Sequence, residues 1–274
     1  MGKHRAKKMP ASLAMPAKFR TFFPLYLPEQ PAPRMKNTSI ETAPQLYARI
    51  GGIAYLVIIG FGLFGEMFVR NAMIVPADVA ATTHNIVTSQ LLWRAGIAGD
   101  LVMHVCDGIL VVVYYLLFRR VNQPLALLVV LLSVVQTAVL VSNKMNLMTP
   151  LFLAERANYL EAFTSQQLQA LSYLSLKAHD YGFGVGLIFF GFECLILGYL
   201  IIKSGFMPAA LGTMMQVAGV CYLVNSFALV LHPALAISLF PFIMIPPFIA
   251  ELSLCLWLIV KGINEEKWKS VTSS

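Results

Sequence analysis

Residues 96–120 read GIAGDLVMHVCDGILVVVYYLLFRR. The run is long enough to cross a bilayer, which takes roughly 20 apolar residues, yet it contains Asp100, His104 and Asp107. Successive residues of a helix turn by about 100°, so offsets of four and seven return to within about 40° and place all three side chains on one face. An ionisable group costs about 2.5–3.5 kcal/mol at the centre of a membrane helix on insertion scales, so a face carrying three of them does not look at lipid. It turns toward an interior cavity, partner charges or a bound cation. The stretch predicts an all-α, polytopic membrane bundle with a polar interior.

Composition agrees. The chain has 274 residues, 58% of them hydrophobic and only 12% charged, where soluble domains carry about 25% charged residues. The net charge of +7 is not a nucleic-acid signal, because residues 1–34 hold seven Lys and Arg against the single acid Glu29 and so supply +6 of it. Cys106, Cys194, Cys221 and Cys255 all fall in apolar runs without a CxxC pair, which predicts small packing residues and not a disulfide framework.

Outward from the opening stretch, runs of about 20 or more apolar residues mark six spans, near 49–69, 96–118, 124–144, 178–202, 208–231 and 236–260. The expected organisation is a basic, Pro-rich cytoplasmic arm over 1–44, a six-helix transmembrane domain over 45–263 and a short cytoplasmic tail over 264–274. Met35, followed by KNTSIETAPQLYARIGG, is an alternative start, so the arm is either native or an artefact of the assigned start. Lys and Arg concentrate on cytoplasmic loops. With the amino terminus inside, that side receives Arg49, Arg119, Arg120, Lys203, Lys261, Lys267 and Lys269, while Asp78, Glu155 and Glu161 dilute the basic residues of the other. Both termini are therefore expected in the cytoplasm, with the bundle in a bacterial inner membrane.

Two loops on the outer side are expected to hold short interfacial helices. In PADVAATTHNIVTSQLLW, Asp78 is placed to cap a helix; in FTSQQLQALSYLSL, Thr164 and Gln167 have the spacing of a capping box. They form either a lid over the bundle mouth or a connector resting on the headgroups. The steps Tyr115 to Pro124 and Tyr199 to Pro208 have equal length across two basic turns, which either marks an internal repeat or reflects the shared preference for Pro at helix starts.

Polar residues gather toward the interior. His179, Gly182, Gly186 and Glu193 fall on one face of the fourth span, and the two glycines allow a neighbouring backbone to come close. In the last span, Pro241, Pro246 and Pro247 predict a kink or break near Ile245, with Glu251 close to the start of the second half. Glu66 and Arg70, four apart, are expected to pair, and Lys144 to snorkel to the headgroups. The predicted lining of the interior is Asp100, His104, Asp107, His179, Asp180 and Glu251, with Glu66, Arg70 and Arg94 ordering its mouth.

Several blocks carry a resemblance: LFGEMFVRNAMIVPADVAATTHNIV, WRAGIAGDLVMHVCDGILVVVYYLLFRRVNQPLALL, AHDYGFGVGLIFFGFECLILGYLIIKSGFMPAALG and LWLIVKGIN. Over about residues 45–263 the chain resembles a bacterial family of multi-pass membrane proteins known only as a domain of unknown function. The resemblance implies the membrane fold and marks Glu66 with Arg70, Pro76, Asp78, Arg94, Asp100, Asp107, His179 with Tyr181 and Gly182, and Phe189 to Gly191. Relatives often carry His where Glu193 stands, so it assigns that carboxyl no fixed role.

Three functional readings stay open. The first is binding or translocation of a small solute, ion or proton in an outward-facing polar cavity. The second is a metal-dependent membrane hydrolase or lipid-modifying enzyme, with a divalent metal held by Asp100, His104, His179 and Asp180. The third is a non-catalytic partner or sensor subunit, and a homo-oligomer is compatible with each. No GxSxG, HExxH, Walker or GxGxxG pattern occurs, and the expected surroundings are the lipid bilayer, without nucleic acid.

Overall fold

The architecture is given by a computed structural model that describes residues 43–155 and 157–271, the side chain of Tyr159 excepted. Residues 1–42, which hold nearly all of the expected basic arm, lie outside the described residues. Helix α1 (Pro44–Leu63) runs on through a π-helical segment, Phe64–Arg70, and a last α turn, Asn71–Met73. Then come α2 (Val79–Thr88), α3 (Gln90–Phe118), α4 (Gln123–Ala154), α5 (Ser165–Ser204), α6 (Ala209–Leu231), α7 (Pro233–Leu239), α8 (Ile245–Val260) and α9 (Glu265–Val271). Among the described residues, six helices are long and apolar enough to cross a membrane: α1 with its extension, α3, α4, α5, α6, and the stretch Phe242–Val260 that contains α8.

Short turns make consecutive spans antiparallel neighbours. Helix α1 packs on α3, α3 on α4, α4 on α5, α5 on α6, α6 on α8, and α8 returns to α1. The six spans thus form a closed ring in chain order.

Local chemistry explains where each helix starts and stops. Asn122 Oδ1 accepts the Leu125 N–H at 3.0 Å, and Pro124 stands in the first turn of α4, where its missing N–H costs nothing. Helix α5 ends on Gly205 at φ +65°, a conformation that favours glycine. The equal Tyr-to-Pro steps meet different turns, since Pro124 lies inside α4 whereas Pro208 is itself the cap residue of α6. As expected, Asp78 Oδ1 accepts the Ala81 N–H and caps α2.

The segment after Phe163 is not a separate interfacial helix. The Thr164–Gln167 capping box is present, but no Gly or Pro interrupts residues 165–181, so the helix propagates directly into the span. At 1.5 Å per residue, a helix of 40 residues is about 60 Å long, roughly twice the hydrocarbon thickness. Helix α2 packs on α5 and on α4. Thr164→Ala is expected to cost about 1 kcal/mol, read as a small loss of melting temperature in detergent with the helical content of the folded protein unchanged.

The last span breaks where its prolines predict. A 3-10 turn, Phe242–Met244, follows α7, and Pro246 and Pro247 occupy the first turn of α8, so Glu251 lies in its second turn. Within the expected tail, α9 docks on the ring. Trp268 is buried, its indole N–H donates to the Leu117 carbonyl at 3.2 Å, and the Arg120 guanidinium lies over its ring. All four cysteines are free.

Candidate functional site

Polar side chains recur along the inward faces of three successive helices. On α3 the row is Asp100, His104, Asp107 and Tyr114; on α4 it is Lys144, Asn143, Gln136 and Ser133; on α5 it is His179, Gly182, Gly186 and Glu193. Offsets of three, four and seven keep the α3 and α5 rows each on one face, as they do Asn143, Gln136 and Ser133 on α4, with Lys144 one position on from Asn143. Because neighbouring helices are antiparallel, the rows meet level by level.

The level nearest the α3 amino terminus is an ion-pair network. Asp100 is fully buried, and its Oδ2 accepts from Arg70 Nη1 and from Lys144 Nζ, each at 2.8 Å. Arg70 Nε donates in turn to Glu66 Oε2 at 2.8 Å, the pair expected four residues apart. Two acids and two bases leave the network formally neutral and join α1, α3 and α4. Its position depends on the π-helical turn that carries both Glu66 and Arg70, and on Gly65, where a Cβ would lie 2.6 Å from Asp100 Oδ1. Lys144 does not snorkel. It is buried at 4% exposure, because α4 continues about ten residues beyond it and a carboxylate waits inside the ring.

Next along α3, His104 Nδ1 stands 3.0 Å from Asp107 Oδ2, within hydrogen-bond distance. On α5, Gly182 and Gly186 do admit a close neighbour, but it is α4 and not the acidic face of α3. A Cβ on Gly182 would strike Asn143, and one on Gly186 would lie 2.5 Å from Leu140 Cδ2. Asn143 Nδ2 donates to the His179 carbonyl at 2.8 Å, fixing this contact. Asp100 Oδ1, His104 Nε2 and His179 Nε2 are buried without a hydrogen-bond partner among the described residues.

The deepest level holds two carboxyl groups. Glu193 on α5 is buried and faces Ser133 of α4, while Glu251 on α8 accepts from the Tyr222 hydroxyl of α6 and is reached by Tyr55 of α1. Among the described residues neither carboxyl forms an ion pair.

Apolar clusters close both ends. Beyond the Asp100 level lie Val69, Met73, Ile86, Trp93, Ile97, Leu147, Leu151 and Leu176, contributed by α1 to α5. Trp93 Nε1 donates to the Leu147 carbonyl at 2.8 Å and pins this cap. Beyond the Glu193 level, a larger core runs through Leu117, Phe118, Leu197, Leu200, Ile201 and Phe206. Beyond the Asp100 level, where the sequence predicts an outward-facing polar mouth, the apolar residues contributed by α1 to α5 are buried together.

Of the nine residues expected at the site, Asp100, His104, Asp107 and His179 fall along the interior, with Glu251 at its far level and Glu66 with Arg70 at its edge. Asp180 is exposed beside Lys177, and Arg94 lies on the surface, 3.8 Å from Glu155. Among the described residues no three His, Cys, Asp or Glu side chains gather closely enough to hold a metal ion. Sequence reasoning missed Tyr55, Tyr114, Tyr222 and Ser133. Tyr114 was within reach, since it continues the Asp100 row by one further step of seven.

The family described as Domain of unknown function (DUF4386) matches residues 50–262. The chain belongs to that family. The matched segment contains every level of the polar interior, from Glu66 to Glu251. A protein of Archaeoglobus fulgidus described as an uncharacterized protein is 27% identical over 166 residues, covering 61% of this chain and 83% of that protein. No solved structure matches the chain.

Proposed function

We propose that the protein binds and moves a small cation through the interior of its helix ring. The observation that supports this is the file of ionisable and hydroxyl side chains along Asp100, His104, Asp107 and Tyr114, which leads from the ion-pair network to Glu193 and Glu251 between two apolar ends. Ionisable groups in a membrane interior are expensive, and they characteristically mark ion and proton pathways. An interior closed at both ends suits alternating exposure better than an open pore. The basic residues near the ends of α1, α3, α5 and α8 support a placement in a bacterial inner membrane with both termini in the cytoplasm.

The Asp100 level has a different part. Its charges cancel and its partners sit on three helices, so it holds the ring together while the carboxyls beyond it carry the exchangeable charge. A divalent-metal centre at Asp100, His104, His179 and Asp180 would require Asp100 to leave two cations and Asp180 to turn in from the surface; the small-cation reading requires neither.

Proteoliposomes loaded with a pH-sensitive or Na⁺-sensitive dye test the proposal under an imposed membrane potential. Flux above that of protein-free vesicles is expected, and Asp107→Asn is expected to reduce it at least tenfold while the purified variant elutes and melts like the parent. Vesicles that pass neither H⁺ nor Na⁺ would overturn the reading.

A further inference from the structure

At the end of the ring that carries Lys203, three connections are joined to one another. Phe206, in the turn between α5 and α6, stacks on Phe118 at the end of α3 with ring centroids 5.5 Å apart, and its carbonyl accepts the Asn264 N–H at 3.0 Å. The turn after α3, the turn after α5 and the segment after α8 therefore meet. Each brings cations. Arg119 follows Phe118 directly, Lys203 stands three residues before Phe206, and Lys261 and Lys267 stand three residues either side of Asn264. The three lysines are exposed, and among the described residues none of these four cations has an acidic partner at ion-pair distance.

The equal Tyr-to-Pro steps of the sequence acquire a use here. In both of them the cation four residues after the tyrosine lies over its ring, Arg119 over Tyr115 at 5.9 Å and Lys203 over Tyr199 at 5.8 Å. Tyrosine favours the membrane–water boundary, so it holds each charge level with the headgroups. Among the described residues the acids at this end are Glu265 and Glu266, and Glu265 is engaged by Lys269 at 3.6 Å. Positive charge is in surplus.

A groove leads away from this basic face. Helices α6 and α8 are packed antiparallel, so the first turn of α6 lies at the same end as Lys261, the cap residue of α8. Between them, Ala210, Met214 and Val217 of α6 and Pro246 and Ile249 of α8 line a groove of about 560 Å³, within the range of small-molecule sites. Ala210 stands four residues beyond Phe206, which puts the mouth of the groove beside the joined turns. Thr213 is the one polar side chain of the lining, and its hydroxyl donates to the Ala209 carbonyl at 3.3 Å, back into its own helix. Such a groove on the face of a membrane span suits an alkyl chain, and the cations at its mouth suit an anion.

We propose that this corner binds an anionic phospholipid, its headgroup held by the basic face of Lys203, Lys261 and Lys267 and one acyl chain lying between α6 and α8. The site stands outside the polar interior and does not depend on what the interior carries. Charge complementarity selects the headgroup, since each basic residue near an anionic membrane surface strengthens binding about fivefold. The apolar groove selects a lipid over a free phosphate.

Tryptophan quenching by bromine tests the site. Trp257 lies eleven residues, or about three turns, after Pro246 and so on the same face of α8, toward Lys261. The protein is placed in phosphatidylcholine nanodiscs, and a small fraction of the lipid is exchanged for phosphatidylglycerol or phosphatidylcholine brominated on its acyl chains. Brominated phosphatidylglycerol is expected to quench severalfold more strongly at equal fraction. Lys203→Gln, Lys261→Gln and Lys267→Gln together are expected to raise the fraction needed for half-maximal quenching by about tenfold or more, with melting unchanged because all three side chains are exposed. Thr213→Phe, which fills the groove and keeps every charge, is expected to weaken the quenching as well, whereas Lys177→Gln at the opposite end leaves it as in the parent.

Equal quenching by the two lipids in the parent overturns the proposal, as does a preference that survives intact in the triple variant. Inorganic phosphate that displaces the brominated lipid at constant ionic strength overturns it in favour of a free anion. A dimer that shows no lipid preference overturns it in favour of a second copy seated in the groove. Should the triple variant fail to fold, an undiminished preference in Thr213→Phe overturns it equally.

Discussion

Asp100→Ala is expected to destabilise the bundle by about 3–5 kcal/mol, the range for removing one partner of a buried ion pair. Its carboxylate has no solvent exposure and takes two charged donors on a single oxygen, from α1 and from α4. Without it Lys144 is left buried inside the ring without its carboxylate partner, while Arg70 keeps the half-exposed Glu66. The expected readout is a large loss of melting temperature and early aggregation in detergent. Two comparisons isolate the cause. Asp180→Ala removes an exposed carboxylate on the neighbouring rim and is expected to change little, and adding Lys144→Met to Asp100→Ala should recover part of the loss by removing the stranded ammonium. If Asp100→Ala melts with the parent, the network is not what joins the three helices.

Gly212→Val carries the second large effect. Helices α5 and α6 meet backbone to backbone at two points, Gly198 with Gly212 and Gly191 with Gly219. A Cβ on Gly212 would lie 2.5 Å from the Gly198 carbonyl oxygen and 3.1 Å from the Ile202 nitrogen. Neither atom belongs to a side chain that can swing away, so the helices must separate. In a membrane, where association relies on close packing more than on the exclusion of water, that separation forfeits contacts along the whole seam. A loss of about 3 kcal/mol is expected, the upper part of the overpacking range. Gly108→Ala makes the control. A Cβ there meets nothing within 4 Å, and the gain in helix propensity of up to about 1 kcal/mol should leave the melting temperature equal or higher. Equal melting of the two variants would refute the close-contact seam.

Much of the architecture was legible because lipid imposes a strong rule on sequence. Apolar length located the spans, the prolines of 241–247 located the break, and the spacing of Asp100, His104 and Asp107 identified an inward face. Partnerships across helices were not legible. Lys144 read as a headgroup contact because its own helix gives no sign of the carboxylate one helix away. Gly182 and Gly186 announced a close neighbour without saying which, and Asn143 of α4 supplied the answer. The tyrosines of the Glu193 level resembled ordinary apolar filling, since one Tyr per helix leaves no pattern within any single helix. Asp180 shows the converse: next to His179 in sequence, it turns about 100° away on the helix and faces out.

The closed ring bears on how the chain is assembled. Each span from α3 to α6 finds a neighbour that precedes it directly, so pairing can follow the order of insertion, and only the last span must also seat against the first. That final seam is specific: Cys255 Sγ donates to the Gly52 carbonyl, and the Gln45 side chain joins the Lys261 carbonyl and the Ile263 N–H. Until it forms, Tyr55 faces a gap instead of Glu251, and the carboxyl-bearing chamber stays unfinished. The last contact to form is thus the one that closes the ring.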